Sequence, residues 1–420
     1  MKRPTVASLK KVTPENLAGL GAERLAEILV SAAETKPELK RRLRMELAAV
    51  QGAEHLALEI DKRLGSLETS RSKVSWRQRP SFVRDMDVLR GLIAERLAEL
   101  DPAAALKRMW EFMGTARRVG ARVRDRDGEL GGVFQRAAGD IGALLARAEP
   151  GRAAAELVEA MARNPAGWAA WLPATLERAR PELAGAALRL MVERVGEAPG
   201  LLLLVRQLAD AAAEVDAYAA TFTGDSIRAP ANAAEVGRRL LDAGRVEDAG
   251  KVLEAARPKT GGRLWRGKAA APDFGWESVW IDWLDRSGQG DAAQEARWAS
   301  FERTLSVERA KAFVRRLADF DDVEAEEKAF AHAARHEDFA RGLRFLMDWP
   351  AYGEAGRMIL ARPDETEVSP EDAELWAARL RARQPKAAHL LLRKAAAQAF
   401  RRRDFKTCDR LTHEAEAIGA

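Results

Sequence analysis

The sequence predicts an all-α protein in which stacked antiparallel helix pairs form an α-solenoid-like array. Three observations predict this fold class. Ala, Leu, Arg and Glu, all good helix formers, dominate the 420 residues. Helix start signals recur along the whole chain. No segment alternates apolar and polar residues over the length of a β-strand. Because short helices cannot each bury an apolar face alone, we expect every pair to pack against its neighbours.

The helix start signals share one chemistry, a capping side chain followed by proline. They occur at Thr13-Pro14, Asp101-Pro102, Asn164-Pro165 and Ser369-Pro370. The capping oxygen accepts a free backbone N–H, and proline has none to leave unpaired at the first helical position. After the first signal we expect one helix with an apolar stripe at helical spacing, formed by Leu17, Leu20, Leu25, Ile28 and Leu29.

Breaks in the helical pattern and the distribution of charge divide the chain into regions. We expect a basic N-terminal helical region at 1–150, a middle helical-repeat region at 151–260, a basic linker at 261–275 and a C-terminal helical-repeat region at 276–420. Whether these form one superhelix or two bodies hinged near 258–275 stays open. Residues 1–130 carry 26 Lys and Arg against 19 Asp and Glu. This excess indicates a polyanionic partner, but it is mild for a dedicated nucleic-acid-binding protein.

The apolar runs of the chain are short. The longest, residues 201–205, falls far below the roughly 18 residues needed to cross a bilayer. The first residues, MKRPTVASLKK, lack the apolar core of a secretory signal. We therefore expect a cytoplasmic protein with no membrane contact. The single cysteine, Cys408, leaves no intrachain disulfide and no cysteine-based zinc site.

Three segments share the pattern of a helix-pair repeat. In residues 244–256 a glycine opens a turn, and Ala249, Leu253 and Ala256 follow on one face of the next helix. This segment resembles the second helix of a tetratricopeptide unit. Residues 288–293 and 403–415 carry the same turn pattern, but at unequal spacings along the chain, so the array is degenerate or interrupted.

Longer segments resemble an uncharacterised proteobacterial all-helical family, a domain of unknown function. The resemblance covers nearly the full length and rests on TPENLAGLGAERLAEIL (13–29), RSKVSWRQR (71–79), DPAAALKRMWEFM (101–113) and RWASFERTLSVERAKAFVRRLADFDDVEAEEKAFAHA (297–333). The last segment is the most specific because it keeps order and spacing over two helices. The chain departs from the family pattern at residues 122–128, where relatives are more acidic, and in its C-terminal tail. The resemblance implies the helical fold and implies no activity.

Two cationic segments each contain a tryptophan and no acid. The first is 71–79, with Arg71, Lys73, Trp76, Arg77 and Arg79, and the second is 257–268, with Arg263, Trp265, Arg266 and Lys268. Both could contact a partner or a polyanion, because cations beside an aromatic ring suit phosphates and stacked bases. Both could also be links between helices, with the tryptophan packed against the helices and the cations in water. If the fold brings the two segments to one face, the first interpretation gains support.

The densest acidic run comprises Asp319, Asp321, Asp322, Glu324, Glu326 and Glu327. It fits a docking surface for a basic partner or for the chain's own basic segments. It equally fits a solvated helix start, where acidic side chains suit the helix dipole.

Three tryptophans lie at helical spacing on one face. Trp276, Trp280 and Trp283 follow an i, i+4, i+7 pattern. We expect a core stripe that packs against the neighbouring helix pair. An exposed aromatic groove for a peptide is the alternative.

No motif assembles catalytic, metal or cofactor chemistry. Residues 262–269 match the spacing of a phosphate-binding loop but lack the preceding strand and the magnesium-binding hydroxyl. His332 and His336 share a helix face without a third metal ligand. The run 125–128 favours a turn over a calcium loop, because Arg136 stands where the loop needs its last glutamate. We expect no catalytic residue, no metal and no cofactor, although a hydrolase with dispersed carboxylates stays open.

These observations predict a non-catalytic helical-repeat scaffold that mediates protein–protein interaction. The prediction follows from the extended surface that stacked helix pairs expose. The alternative is a nucleic-acid-binding helical-repeat protein that uses the basic loops 71–79 and 257–268. The partner, the face that binds it and the oligomeric state stay open.

Overall fold

Helices make up most of the chain that the computed structural model describes, which is residues 12–194, 199–258, 273–318 and 321–419. Within these ranges the only strand-like pairing is an isolated bridge between Val74 and Val123. The all-α prediction is therefore confirmed.

The first of two compact units, Met1–Phe222, is a succession of helices joined by short links. Helix α5 comprises three consecutive segments: an α-helical segment, Arg79–Gly91, a π-helical segment, Leu92–Leu97, and a last α-helical turn, Ala98–Leu100. The other helices are α1 (Pro14–Ala18), α2 (Ala22–Thr35), α3 (Pro37–Gln51), α4 (Ala53–Thr69), α6 (Pro102–Gly114), α7 (Ala116–Gly120), α8 (Glu129–Leu145), α9 (Pro150–Arg163), α10 (Pro165–Arg178), α11 (Glu182–Arg194), α12 (Leu202–Ala211) and α13 (Val215–Ala219).

The second unit, Thr223–Ala420, continues the helical pattern. Its helices are α14 (Pro230–Asp242), α15 (Val246–Ala255), α16 (Phe274–Arg286), α17 (Gly290–Thr304), α18 (Val307–Val314), α19 (Asp321–Ala334), α20 (Phe339–Asp348), α21 (Tyr352–Ala361), α22 (Pro370–Leu380), α23 (Pro385–Arg401) and α24 (Phe405–Ile418). Most of the predicted linker 261–275 lies outside the described residues, and α16 begins at its end. A hinge there stays a prediction.

Within each unit, helices pack mainly against the next helix and the next but one. In the first unit α8 packs against α10, α9 against α11, and α10 against α12. In the second unit α14 contacts α15 and α16, and α23 contacts α22 and α24. This is the contact pattern of stacked antiparallel helix pairs, so the predicted α-solenoid-like arrangement is confirmed.

The predicted helix caps form. The side-chain oxygens of Thr13, Asp101, Asn164 and Ser369 each accept a backbone N–H in the first turn of their helix. Each cap satisfies a donor that the helix itself cannot pair. Glu149 caps α9 in the same way, and the N–H groups that it accepts hold its pKa below the ordinary value.

The prediction of one continuous first helix is wrong. Residues 19–21 separate α1 from α2, and Gly21 has a φ of +80°, which a helix cannot contain. The apolar stripe is also only partly covered, since Leu20 is 49% exposed and Ile28 is 44% exposed. Helix α2 packs against α3.

A left-handed residue closes the turn in each of the three repeat-like segments. Gly244, Gly288 and Arg403 have φ values of +74°, +79° and +63°. The residue that follows each of them donates its N–H to a helix carbonyl five positions earlier. Ala213, with a φ of +56°, forms a fourth turn of this kind that the sequence pattern did not reveal. The repeat is therefore clearer in the backbone than in the sequence.

A close contact between two helices of the first unit depends on Gly142 in α8. A Cβ atom at this position would overlap the carbonyl oxygen of Thr175 in α10. Thr175 is fully buried, and its hydroxyl donates to the Ala138 carbonyl at 2.9 Å. Helices α8 and α10 therefore meet through backbone atoms, which only a glycine allows.

We expect Gly142→Ala to destabilise the full chain by about 2–3 kcal/mol, because α8 and α10 must separate to admit the methyl group. Gly132→Ala, in the same helix, is the control. A Cβ there meets only the flexible end of Arg136 at 3.5 Å, so stability should be unchanged or slightly raised. Denaturant unfolding followed by circular dichroism measures both variants. Equal stability of the two variants would contradict the close contact.

Candidate functional site

The first cationic segment forms a fixed loop between α4 and α5. The Val74 N–H donates to the Arg122 carbonyl at 3.0 Å, and Arg122 Nε donates to the Ser72 carbonyl at 2.8 Å. Arg118 also donates to the Glu68 carbonyl at 2.8 Å. The segment 71–79 is thus fastened to residues 122–126, and together they form what we call the cationic platform.

Trp76 stands in solvent on this platform. Its side chain is 77% exposed. The Arg77 guanidinium lies 5.1 Å from the centroid of its ring, a cation–π distance. The interpretation that Trp76 packs the link onto the helices is therefore wrong for this loop.

The cations of the platform divide into two kinds. Arg79 is structural, because its guanidinium bonds to the Asp127 carboxylate at 2.5 Å and to the Arg124 carbonyl at 3.3 Å. Arg71 and Lys73 are exposed and make no hydrogen bond or salt bridge within the described chain. Only the second kind is available to a partner.

The second cationic segment cannot be compared with the first. Arg263, Trp265, Arg266 and Lys268 lie outside the described residues, as does the phosphate-loop spacing 262–269. Whether the two segments share a face stays a prediction.

The acidic run is exposed where the structure describes it. Asp321, Asp322, Glu324 and Glu327 are exposed at the start of α19, and Glu326 is half-buried. Asp319 lies outside the described residues. The position at the first turns of a helix fits the favourable interaction with the helix dipole, and docking of a basic partner stays a prediction.

The tryptophan stripe of α16 packs against the core, as expected, with Trp276 buried and Trp280 and Trp283 half-buried. Trp276 is 4% exposed, and its ring N–H donates to the Leu253 carbonyl at 3.2 Å. Trp283 donates to the Val246 carbonyl at 3.0 Å. The stripe packs α16 onto α15, so it does not form an open peptide groove.

The candidate metal-binding residues are engaged in other ways. His332 contacts the Glu302 carbonyl at 3.1 Å. Asp125 accepts the N–H groups of Leu130 and Gly131, which makes it a cap for the start of α8. In the described part of the chain, no group of three or more His, Cys, Asp or Glu side chains is arranged to hold a metal ion.

A groove of about 1020 Å³ in the first unit was not anticipated. It lies between α6 and α9 and reaches the start of α10. Three tryptophans line it. The Trp110 and Trp168 ring centroids are 5.6 Å apart, and Trp168 meets Trp171 edge-on at 5.8 Å. Trp168 is 3% exposed and forms the floor, while Trp110 and Trp171 are half-buried walls. We call this the tryptophan groove.

The acids of the groove are bonded to neighbouring groups. Glu156 accepts the Trp110 ring N–H at 3.0 Å and Arg152 Nε at 2.7 Å. Glu159 bonds to Arg194 at 2.5 Å, and this hydrogen bond and charge hold the pKa of Glu159 below its ordinary value. Both carboxylates are therefore already paired with groups of the chain itself.

The cations at the rim of the groove are largely unmatched. Lys107, Arg117 and Arg163 are exposed and form no salt bridge in the described chain. Among the lining acids only Glu111 is exposed without a partner. The groove thus combines an aromatic interior with a rim of net positive charge.

Sequence reasoning missed the tryptophan groove. Trp168 and Trp171 are three residues apart and so share one face of α10, which was a detectable signal. Trp110 lies in a distant part of the chain, and only the packing of the first unit brings it to Trp168. The charge pattern of the rim depends on the same packing.

Stacked helix pairs with an aromatic groove define a helical-repeat protein. The chain belongs to a family of unknown function, DUF6880, which matches residues 7–201 and 184–419. The expected family resemblance is thus confirmed for fold and for the lack of an assigned function. No curated protein matches the chain.

Among solved structures, the chain is similar to a "circular tandem repeat protein with novel repeat topology and enhanced subunit contact surfaces". The identity is 14%, the match covers 98% of this chain and 83% of that chain, and the TM-score is 0.19. At that score the likeness supports no argument about shape or function. No helix in the described residues is long and apolar enough to cross a membrane.

We expect Arg122→Ala to loosen the platform, because it removes the bond to the Ser72 carbonyl. Backbone amide exchange across residues 71–76 should rise about tenfold, the equivalent of one or two lost hydrogen bonds. Arg124→Ala is the control, since the Arg124 side chain is exposed and makes no bond in the described chain. Hydrogen-exchange mass spectrometry measures both. Unchanged exchange in Arg122→Ala would show that this side chain does not fix the loop.

Proposed function

We propose that this protein is a non-catalytic helical-repeat scaffold that binds a segment of another protein in the tryptophan groove. The observation that carries the proposal is the set of three indole rings in contact with one another in an open groove of about 1020 Å³. Large aromatic side chains in a concave surface are the usual anchors of a protein–protein contact.

The groove also indicates the chemistry of its occupant. We propose that an apolar side chain of the partner contacts the half-buried rings of Trp110 and Trp171, above the floor formed by Trp168. Carboxylates beside that anchor would meet Lys107, Arg117 and Arg163, whose charges have no salt-bridge partner in the described chain. We therefore propose a partner segment with one large apolar residue flanked by acidic residues.

The electrostatics of the groove favour binding over catalysis. A carboxyl that acts as a general acid needs a pKa raised toward neutrality. The pKa of Glu159 is instead lowered by Arg194. In the described chain the one carboxyl with a raised pKa is Glu414, through burial and then the charge of nearby Glu374. It lies far along the chain from the groove and lines no described cavity. The absence of catalysis stays a prediction, as does the cytoplasmic location.

We expect Ala155→Trp to block the groove. Ala155 is an exposed lining residue of α9, so an indole there fills the groove without disturbing the core. Peptides selected from a displayed random library on the full chain should combine a large apolar residue with Asp or Glu. Fluorescence anisotropy with these peptides should give at least a tenfold weaker affinity for Ala155→Trp, equivalent to about 1.4 kcal/mol.

Ala170→Trp is the matched control, because Ala170 is exposed on α10 and does not line the groove. It should bind the selected peptides as the natural chain does. Equal binding by both variants would place the peptide elsewhere. Selection of apolar peptides without acids would keep the groove but remove the role of the rim cations.

A further inference from the structure

The cationic platform has properties that the proposed function does not use. An exposed tryptophan with a guanidinium against its ring faces solvent, beside cations that nothing in the described chain neutralises. We propose that this platform binds single-stranded nucleic acid, with a base stacked on Trp76 and phosphates held by Arg71 and Lys73. The site is separate from the tryptophan groove and does not depend on it.

The stacking surface is the first element of the argument. The Trp76 side chain is 77% exposed, which leaves its ring accessible to a ligand. Arg77 lies 5.1 Å from the ring centroid and extends the flat surface with a planar cation. A nucleobase offers a π-face to such a pair whatever its identity, so the contact is strong without being sequence-specific.

The phosphate contacts are the second element. Arg71 and Lys73 lie five and three residues before Trp76, respectively, on the same exposed loop. Arg124 and Arg126 are exposed on the partner loop of the platform. None of these four side chains forms a salt bridge in the described chain. A strand that stacks on Trp76 therefore has unneutralised cations on two adjoining loops for its phosphates.

The local acids do not cancel this charge. Asp127 is bonded to Arg79, and Asp125 accepts the N–H groups of Leu130 and Gly131. Each carboxylate is thus committed to holding the platform in place. No acid occurs from residue 69 to residue 84. The acids stabilise the loops, and the outward charge stays positive.

The platform is also formed before any ligand arrives. The hydrogen bonds between residues 72–74 and Arg122 fix the extended part of the first loop. The Arg79–Asp127 bond fixes its end at the start of α5. Because the loop is already ordered, binding loses less conformational entropy than it would with a free loop.

Other anionic partners fit this surface less well. Duplex DNA keeps its bases stacked inside, so Trp76 would have no base face to contact. An acidic peptide could use Arg71 and Lys73 but offers no counterpart to the exposed ring and the guanidinium against it. Single-stranded nucleic acid uses both features of the platform.

The test is fluorescence anisotropy of the full chain with a labelled 12-nucleotide single strand at 50 and 200 mM salt. We expect Trp76→Ala to weaken binding roughly tenfold and Trp76→Phe to retain most of it, because phenylalanine keeps a stacking face. Since Trp76 is exposed, circular dichroism should show an unchanged fold for both variants. Equal binding by Trp76→Ala and the natural chain would overturn the proposal.

A charge-matched pair tests the phosphate contacts. The double variant Arg71→Ala with Lys73→Ala should weaken binding and reduce the slope of log affinity against log salt by about 1.4, for two lost phosphate contacts on a single strand. The control is Arg42→Ala with Arg44→Ala, which removes the same charge from exposed positions of α3. Equal effects of the two double variants would show only a general attraction of the basic unit.

Two further ligands complete the test. A duplex of the same sequence and a poly-glutamate of similar charge should both bind at least tenfold more weakly than the single strand at 50 mM salt. Equal affinity for the duplex would overturn the stacking contact. Equal affinity for poly-glutamate would identify the surface as a site for acidic protein segments. No binding of the single strand at 50 mM salt would overturn the proposal outright.

Discussion

The structure depends on the close approach of neighbouring helices, which small residues make possible. Gly142 lets α8 meet the backbone of α10, and in the second unit Gly342 lets α20 meet the Ala333 carbonyl of α19. Gly250 in α15 leaves the space that the Trp283 ring fills. Because each helix buries its apolar face only against its neighbours along the chain, one contact of this kind sets the spacing of a whole pair.

The two candidate surfaces of the first unit occur where the chain departs from regular helix pairing. The tryptophan groove lies where α6 and α9 face each other with α10 at one end. The cationic platform lies in the link between α4 and α5. Helix α7 contributes a residue near each surface. Arg117 lines the groove, and Arg118 donates to the Glu68 carbonyl at the end of α4, just before the platform. The packing of helix pairs provides a rigid framework, and the irregular regions between them present the exposed aromatic and cationic side chains.

Local chemistry could be predicted from the sequence, and long-range packing could not. The caps at Asp101 and Asn164 and the turn at Gly244 depend on a few adjacent residues, so their patterns are sufficient. The turn at Ala213 has the same backbone, but it lacks a glycine and has Tyr218 where the repeat pattern has a small residue, so its pattern gives no signal. The tryptophan groove requires Trp110 to meet Trp168 from another helix. The exposure of Trp76 likewise depends on which surfaces the neighbouring helices leave uncovered.

The net charge of the N-terminal residues is a weaker indication of where a partner binds than the arrangement of individual ion pairs. The excess of 26 basic over 19 acidic residues in the first 130 is modest. The fold uses many of these charges internally. Asp140, for example, is 6% exposed and bonds to Arg90 and to Arg178, the latter at 2.7 Å. Side chains in such ion pairs neutralise each other within the fold. A partner therefore contacts mainly the charged side chains that form no pair. Exposed cations without a salt bridge remain at the groove rim, on the platform and elsewhere in the unit, for example Arg42 and Arg44 of α3. The charge that a partner meets therefore depends on which pairs the fold forms and not on the net charge alone.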